Sequence, residues 1–185
     1  MQTRGVRTAE LPLPTGMGRL EPEARDAIAS CLSLARERLS MDISWVAEFV
    51  DERKVFRVVE GDTDEWGLHD DDWMPIDQSY CRRMLDEQIP NAIRSTAAEP
   101  TVAGLEVTRD LRIGSYIGVP LVLPGGELRG AFCCASHTAQ HELTERDVRF
   151  VEVLAEMVAD ELAFREALAQ VRRLERRVAS VDALA

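Results

Sequence analysis

The stretch IGSYIGVPLVLPGGELRGAFCCAS, residues 113–136, decides the fold, because a Pro-Gly-Gly turn separates two apolar runs in it. This pattern predicts an antiparallel β-hairpin. Cys133 and Cys134 are adjacent on its second strand, so we expect them to point to opposite faces of the sheet. The stretch LTERDVRFVEVLAEMVADELA, residues 143–163, follows and predicts a long helix that opens with a capping-box pattern at Thr144.

Upstream of this hairpin, the sequence predicts a helix and a second hairpin. From Glu21 to Leu39 the apolar residues recur at helical spacing, which gives the helix one apolar stripe. The stretch DISWVAEFV, residues 42–50, alternates, so Trp45 and Phe49 share one side of a strand. A polar turn, DERK, joins this strand to a second one, VFRVVEG. Helices and antiparallel hairpins in this order predict an α/β fold of the α+β type.

The composition restricts the classes of function. The chain has 185 residues, enough for one domain plus helical extensions, and 45% of them are hydrophobic, so a sizeable core is possible. A net charge of -11 argues against binding to nucleic acid or to anionic lipid, which both need a basic surface. No apolar run is long enough to span a membrane, and the first residues lack the core of a signal peptide. We therefore expect a cytoplasmic protein with four reduced cysteines.

The end of the chain predicts a dimer. Beyond the helix that packs on the sheet, the apolar period tightens to seven residues, which favours a parallel homodimeric coiled coil over residues 166–185. The alternative is a single helix that lies back on its own domain. At the opposite end, residues 1–20 have no periodicity and are predicted to be a flexible arm. The predicted dimerisation residues are Phe164, Ala167, Val171, Leu174, Val178 and Val181.

Cys81 is the cysteine whose role is hardest to predict. It directly precedes two arginines in the stretch SYCRRMLDEQIP, and neighbouring cations lower the pKa of a thiol. In a helix predicted from Asp77 to Gln88, however, the arginines pair with acids four residues on and face water. Cys81 then lies in the apolar stripe, which favours an ordinary buried side chain. Its place near the helix N-terminus leaves a reactive thiolate as the alternative.

The order of motifs in the second half of the chain resembles that of a GAF domain. The family pattern is G-x-P-L, a hairpin with G-x-L-x-G, a serine that closes the strand, and a final helix with D-x-x-x-x-x-x-L-A. The resemblance covers about residues 22–165. The matching positions are Gly118, Pro120, Leu121, Gly126, Leu128, Gly130, Ser136, Asp147, Leu154 and Ala155.

The resemblance implies an antiparallel sheet of five or six strands, with the terminal helices on one face and a ligand cavity on the other. It implies a sensor of small molecules over residues 21–165, whose terminal helices dimerise and pass the signal to an output domain. Similar GAF segments precede histidine kinases and the enzymes of cyclic-di-GMP signalling. No such catalytic module is recognised in this sequence, so we expect the sensor part alone, without enzymatic activity.

The specialised motifs of the family are not found. Bilin-binding GAF domains carry a cysteine just before the segment that matches the hairpin, where this chain reads VAGLEVTRD. The N-K…F…D-E motif of cyclic-nucleotide binders and the cysteine positions of free methionine sulfoxide reductases are also not matched. A haem or metal site would have to use His69, His137 or His141, which we expect to be exposed loop residues. The cofactor, if there is one, stays unknown.

These observations predict a sensory module that binds an unidentified small molecule between the sheet and the middle helix. Aromatic walls with a few polar groups are typical of such pockets. For each candidate the alternative is ordinary core packing. Two other functions stay open: a redox enzyme or sensor using a solvent-reachable Cys81, and a purely structural dimerisation module with a filled pocket. The candidate ligand-binding residues are Trp45, Phe49, Trp66, Tyr80, Cys81, Met84, Tyr116 and Phe132.

Overall fold

A computed structural model describes residues 20–182, with side chains as far as residue 179. Its centre is a six-stranded antiparallel sheet with the strand order β3-β2-β1-β6-β5-β4. This architecture confirms the predicted α+β fold and both predicted hairpins. The strands are β1 (Ile43–Val50), β2 (Arg53–Gly61), β3 (Trp73–Pro75), β4 (Ala92–Ile93), β5 (Ser115–Val122) and β6 (Leu128–Ser136).

Two long helices and four short ones surround the sheet. Single turns of 3-10 helix at Ile76–Gln78 and Thr96–Ala98 add to the short segments. Within residues 20–182, no helix is both long and apolar enough to cross a membrane. The helices are α1 (Pro22–Leu39), α2 (Thr63–Trp66), α3 (Tyr80–Leu85), α4 (Pro100–Ala103), α5 (Glu106–Asp110) and α6 (Glu145–Asp182).

The first face of the sheet, which we call the helix face, is covered by α1 and α6. Its core is aliphatic apart from Phe132 and contains Cys134. The start of α6 is fixed by the predicted capping box, because the Thr144 backbone N–H and hydroxyl both donate to the Asp147 carboxylate, at 2.9 and 2.7 Å. The last buried residue of α6 is Leu162, and from there the helix continues without a break to its end.

The second face, which we call the cavity face, is covered by α2 to α5 and the turns between them. Its core holds the aromatic side chains Trp45, Phe56 and Tyr116 together with Cys81 and Cys133. Because the two adjacent cysteines of β6 are buried on different faces, the expected alternation of Cys133 and Cys134 is confirmed.

The predicted bounds of the helix around Cys81 are wrong. The helix around Cys81 is a short one, and it begins after Ser79, whose hydroxyl accepts from the Arg82 N–H, rather than at Asp77. It ends early because Glu87 adopts a positive φ of 55°. The loop before β3 is held to the sheet, since the Asp70 carboxylate accepts from the Val59 N–H at 2.8 Å.

Predictions for the two chain ends fall partly outside the described residues. The predicted flexible arm, residues 1–20, lies outside the described residues except for its last member. The side chain of Val181, predicted to be part of the dimer seam, also lies outside them. The domain boundaries at residues 20 and 165 therefore stay predictions.

Candidate functional site

The cavity face contains a small, partly open space between the sheet and α3 and α5. Its volume is about 10 Å³, which is room for one water molecule. The pocket expected between the sheet and the middle helix is therefore present in position but almost filled by side chains. The residues that line it are Trp45, Lys54, Phe56, Met74, Ser79, Tyr80, Val107, Leu111, Ile113 and Tyr116.

Most of the predicted pocket residues lie together on the cavity face. Trp45, Tyr80 and Tyr116 line the space, and Cys81 and Met84 are buried in the same cluster. Phe49 is partly buried and packs against the cluster from the end of β1, while Trp66 is buried in it from α2. That any of these side chains binds a ligand stays a prediction.

Phe132 is a wrong prediction. It pairs with Val46 on β1 and Val119 on β5, and all three side chains belong to the core beneath the terminal helices. Its neighbour Cys133 takes the position on the cavity face, because side chains alternate along a strand. The alternation of side chains along β6 shows that Phe132 and Cys133 face opposite sides. It does not show which of these sides is covered by the terminal helices.

Lys54 is the residue that the sequence analysis missed. It is only 3% exposed, and its ammonium lies 4.8 Å from the Trp45 ring centroid and 4.5 Å from that of Phe56. Such cation–π contacts offset part of the cost of burying a charge. The register of the first hairpin would have predicted its position, because Phe49 pairs with Lys54 and the two side chains therefore share a face.

Two sulfur atoms and a phenol meet beside Lys54. The Cys81 and Cys133 sulfurs are 3.8 Å apart, and the Tyr116 hydroxyl lies 3.2 Å from the Cys133 sulfur and 3.9 Å from that of Cys81. Gly118 is required for this arrangement, because a Cβ atom there would collide with the Tyr116 hydroxyl. The glycine that carried the family resemblance thus has a packing reason in this chain.

The electrostatics of this group favour one thiolate. The hydrogen bond from Cys133 lowers the pKa of Cys81 well below its ordinary value, burial opposes it, and the charge of Lys54 lowers it further. Burial and the neighbouring Cys81 raise the pKa of Cys133, and burial also raises that of Tyr116. Of the two thiols, Cys81 is therefore the one whose surroundings favour the thiolate.

The cover of the cavity face is held by a chain of hydroxyl groups. The Tyr80 hydroxyl lies 2.6 Å from that of Thr108, which is itself 2.6 Å from the Val102 carbonyl oxygen. Burial raises the pKa of Tyr80 to about 12, so the phenol stays protonated at neutral pH. These contacts join α3 to α4 and α5 above the sheet.

Of the three histidines, only His137 is packed. Its ring stacks on Trp66 with the centroids 4.1 Å apart, and its Nδ1 lies 3.0 Å from the Arg112 carbonyl oxygen. The expectation of an exposed loop residue is therefore wrong for His137, whereas His69 and His141 are exposed. Within the described part of the chain, no three His, Cys, Asp or Glu side chains form a cluster able to hold a metal ion.

The sequence of this chain matches a known protein family. A family model described as "GAF domain" matches residues 22–163. The chain belongs to the GAF family. The match covers α1, the whole sheet and the first half of α6, which is the region that the sequence resemblance predicted.

Solved GAF domains share this fold. The PixJ GAF domain of Thermosynechococcus elongatus, in its blue-light absorbing form, has a TM-score of 0.59 and 18% identity, over 85% of this chain and 92% of that one. The GAF domain of an Acinetobacter phosphoenolpyruvate-protein phosphotransferase has a TM-score of 0.61 and 13% identity, over 78% and 84% of the two chains.

One structural neighbour is an enzyme. The type II free methionine-R-sulfoxide reductase of Thermoplasma acidophilum has a TM-score of 0.58 and 13% identity, over 76% of this chain and 92% of that one. At such identities the likeness shows the fold alone. No curated protein matches the sequence.

A charged network joins the two faces at one end of this GAF domain. Glu48 and Arg57 are both 1% exposed in their side chains and form an ion pair of 2.7 Å. Arg57 also reaches Asp71, at 3.2 Å, in the loop before β3. On the helix face, Arg129 lies 3.5 Å from Glu48 and 3.0 Å from Glu166 of α6. The network therefore runs from a loop that borders the cavity face to the point where α6 leaves the domain.

Proposed function

We propose that this GAF domain is the small-molecule sensory module of a bacterial signalling protein. Membership of the family supports a sensory or regulatory role in signalling. The finer proposal is that a ligand on the cavity face changes the arrangement of α6 in a dimer, and that α6 passes this change to an output domain. An enzyme of cyclic-di-GMP signalling or a histidine kinase would be such an output. We expect the module itself to have no enzymatic activity and to work in the cytoplasm.

The observation that carries the proposal is the cover of the cavity face. It consists of helices of four to six residues and the turns between them, whereas the helix face is covered by helices of 18 and 38 residues. Short segments with few contacts open at a lower free-energy cost than long packed helices. Since the space beneath them holds about one water, an organic ligand has to displace them to bind. Binding is thereby coupled to a change of shape.

The buried polar groups of the cavity indicate what kind of ligand fits. The Trp45 indole N–H is buried and has no hydrogen-bond acceptor in the part of the chain that is described. Lys54 adds a buried ammonium, with no carboxylate within salt-bridge distance among the described side chains. An indole donor without an acceptor, beside a buried positive charge, favours a ligand that brings an acceptor such as a carbonyl or carboxylate oxygen.

Transmission to α6 is proposed to use the charged network. If the loop that holds Asp71 moves with the cover, Arg57 loses one of its partners, and the balance between Glu48, Arg129 and Glu166 changes. Such a path counts as allosteric only if the ligand has different affinities for the two arrangements of the helix. The residues to test are therefore those of the charged network.

The dimer is proposed from the surface of α6. Beyond the sheet, Val171, Leu174 and Val178 of the predicted seam are each at least half exposed, and so is Phe164. Apolar side chains at seven-residue spacing on an exposed helix are typical of a surface that forms a coiled coil with a second helix. Val153 and Met157 continue the same stripe back onto the domain, at 54% and 55% exposure. We therefore propose that the seam begins before the predicted residue 164.

The proposal is tested by native mass spectrometry of the protein purified from a bacterial host, together with its absorbance spectrum in the visible range. We expect a dimer that carries a bound small molecule, and we expect the bound mass to be lost in Lys54→Met. The matched control is Cys134→Ala on the helix face, which should keep the bound mass. Retention of the ligand in Lys54→Met would place the site elsewhere.

A second candidate is a purely structural dimerisation module. The nearly filled cavity favours it, because a pocket packed with side chains needs no ligand. The two candidates differ in their response to a bacterial metabolite extract. A sensor gains thermal stability in the extract in proportion to ligand occupancy, whereas a structural module keeps an unchanged midpoint.

A further inference from the structure

We propose that Cys81 and Cys133 are an oxidisable pair that closes to a disulfide when hydrogen peroxide reaches the cavity face. The two sulfurs are 3.8 Å apart, although the two cysteines, on α3 and β6, are 52 positions apart in the sequence. The other two cysteines lie apart from this pair: Cys134 is buried on the opposite face and Cys31 is on α1. A chain that binds no organic ligand can still oxidise this pair, so the inference stands independently of the proposed sensor function.

The surroundings divide the chemical roles between the two sulfurs. Cys81 is the nucleophile, because Lys54 supplies a positive charge and the Cys133 thiol and the Tyr116 hydroxyl can both donate to it. Cys133 is the resolving thiol, kept protonated by burial and by the neighbouring thiolate. A low-pKa thiolate beside a second thiol is the arrangement that favours reversible oxidation.

The reaction balances with peroxide as the only oxidant. The Cys81 thiolate attacks one oxygen of hydrogen peroxide, the O–O bond breaks, and the departing hydroxide takes a proton from the Lys54 ammonium to become water. Cys81 is now a sulfenic acid, oxidised by two electrons. The Cys133 sulfur attacks the Cys81 sulfur, the S–O bond breaks, and the hydroxyl group leaves as water with the proton of Cys133. The products are one disulfide, a neutral Lys54 and two waters.

Access and size select the oxidant. The space of about 10 Å³ is bounded by Lys54, Tyr80 and Tyr116, and the last of these touches both sulfurs. Cys81 is fully buried, as the apolar stripe of its helix predicted, and bulky alkylating reagents or disulfides should therefore react slowly with it. Hydrogen peroxide is little larger than water, so it needs only a small displacement of the walls of this space, whereas a bulky oxidant needs a large one.

Closure of the disulfide changes the cover of the cavity. A sulfur–sulfur bond is about 2.05 Å long, so α3 and β6 have to approach by roughly 1.8 Å at these atoms. The six-residue α3 is the element that can move, since β6 is paired on both sides in the middle of the sheet. The Tyr116 hydroxyl loses its sulfur partners, and Lys54 loses its counter-charge. Oxidation would thus reshape the same face that the proposed ligand enters.

The test is peroxide treatment of the full chain at neutral pH, followed by intact mass measurement and peptide mapping without reduction. We expect the wild type to become lighter by two hydrogens, with Cys81 linked to Cys133, and to recover its mass on reduction. Cys133→Ser should stop one oxygen heavier at Cys81, as a sulfenic acid that dimedone traps. Lys54→Met should slow the first step, by about tenfold for each unit by which the pKa of Cys81 then exceeds the pH of the assay.

Cys134→Ser is the matched control and should oxidise like the wild type, because this sulfur lies on the other face. The wild-type peptide map keeps the test decisive even if a variant fails to fold. An unchanged wild-type mass under peroxide, or oxidation that reaches Cys31 first, overturns the proposal. A disulfide between any other pair of cysteines does so as well.

Discussion

The two faces of the sheet share strands but differ in how they are covered. The helix face has an aliphatic core under two long helices, and its buried thiol Cys134 has only a raised pKa. The cavity face has an aromatic core with a buried ammonium and two thiols in contact, under a cover of short segments. Stability and chemistry are therefore separated across one sheet.

The largest expected difference concerns packing. Leu154→Ala on α6 should lower the free energy of unfolding by about 4 kcal/mol, because the rigid helix cannot collapse into the cavity left behind. Met84→Ala on α3 should cost only about 2 kcal/mol, because the short helix can relax. Both side chains are at most 5% exposed, so burial does not explain the difference. Urea denaturation measures both values, and equal costs would contradict the contrast between the two covers.

The ion pair between Glu48 and Arg57 tests where the two faces meet. Arg57→Met should destabilise the fold by about 3 kcal/mol, because it leaves the Glu48 carboxylate buried without its closest cation. The double variant Glu48→Leu with Arg57→Met should recover much of this loss, since no charge is then left behind. Chemical denaturation of the two variants checks this, and a double variant less stable than Arg57→Met would argue against it.

The seam of α6 extends the helix face beyond the domain. Leu174→Glu should raise the dimer dissociation constant at least a hundredfold, which corresponds to about 2.7 kcal/mol, because it places charges at the apolar seam. Sedimentation over a concentration series measures this. Glu175→Gln changes an exposed neighbour outside the predicted seam and serves as the control. A wild type that sediments as a monomer would remove the dimer altogether.

The two buried thiols should respond to pH in opposite ways. The pKa of Cys81 lies below that of an unfolded thiol, so its stabilisation is present above pH ~8.5 and is lost as the pH falls towards about 5. The pKa of Cys134 is raised, so its stabilisation is present at low pH and is lost as the pH rises above ~8.5. Lys54, Cys133 and Tyr116 are the charged and titratable groups that set the first shift.

The measurement is the free energy of unfolding between pH 5 and pH 8, in wild type, Cys81→Ala and Cys134→Ala. Relative to Cys81→Ala, the wild type should gain stability with rising pH, by at most about 1.4 kcal/mol per pH unit. Relative to Cys134→Ala it should show no slope in this range. Thiolate absorbance gives an independent check, because it should disappear at neutral pH in Cys81→Ala alone. A wild type without thiolate absorbance at neutral pH would contradict the lowered pKa of Cys81.

The sequence predicted the helix face better than the chemistry of the cavity face. Alternation and helical spacing predicted both hairpins, α1 and α6, because these elements depend on apolar periodicity that is local in the chain. Lys54 was missed because a lysine beside a polar turn is usually solvated, and only the pairing with Phe49 moves it inside. The contact of Cys81 with Cys133 depends on how α3 docks on the sheet, which no local pattern encodes.

The assignment of Phe132 failed for a related reason. Alternation tells which residues share a face, but the choice between the faces depends on where the terminal helices dock, a contact between distant parts of the chain. The contacts of Asp70, in the loop before β3, depend on distant parts of the chain in the same way. Its partners, the Val59 N–H and Arg25, come from β2 and α1.

The smallest expected effect separates coupling from stability. Arg129 reaches Glu166 of α6 at 3.0 Å, but the Glu166 side chain is 47% exposed, and such pairs contribute less than about 1 kcal/mol. Glu166→Gln should therefore leave the midpoint of unfolding almost unchanged. If the network transmits a signal, the same variant should abolish the difference in hydrogen exchange along α6 between the reduced and the peroxide-oxidised protein. Glu161→Gln, which loses a pair only within α6, is the matched control and should keep that difference. If Glu166→Gln keeps the difference in hydrogen exchange as Glu161→Gln does, the contact of Arg129 with Glu166 does not transmit the change to α6.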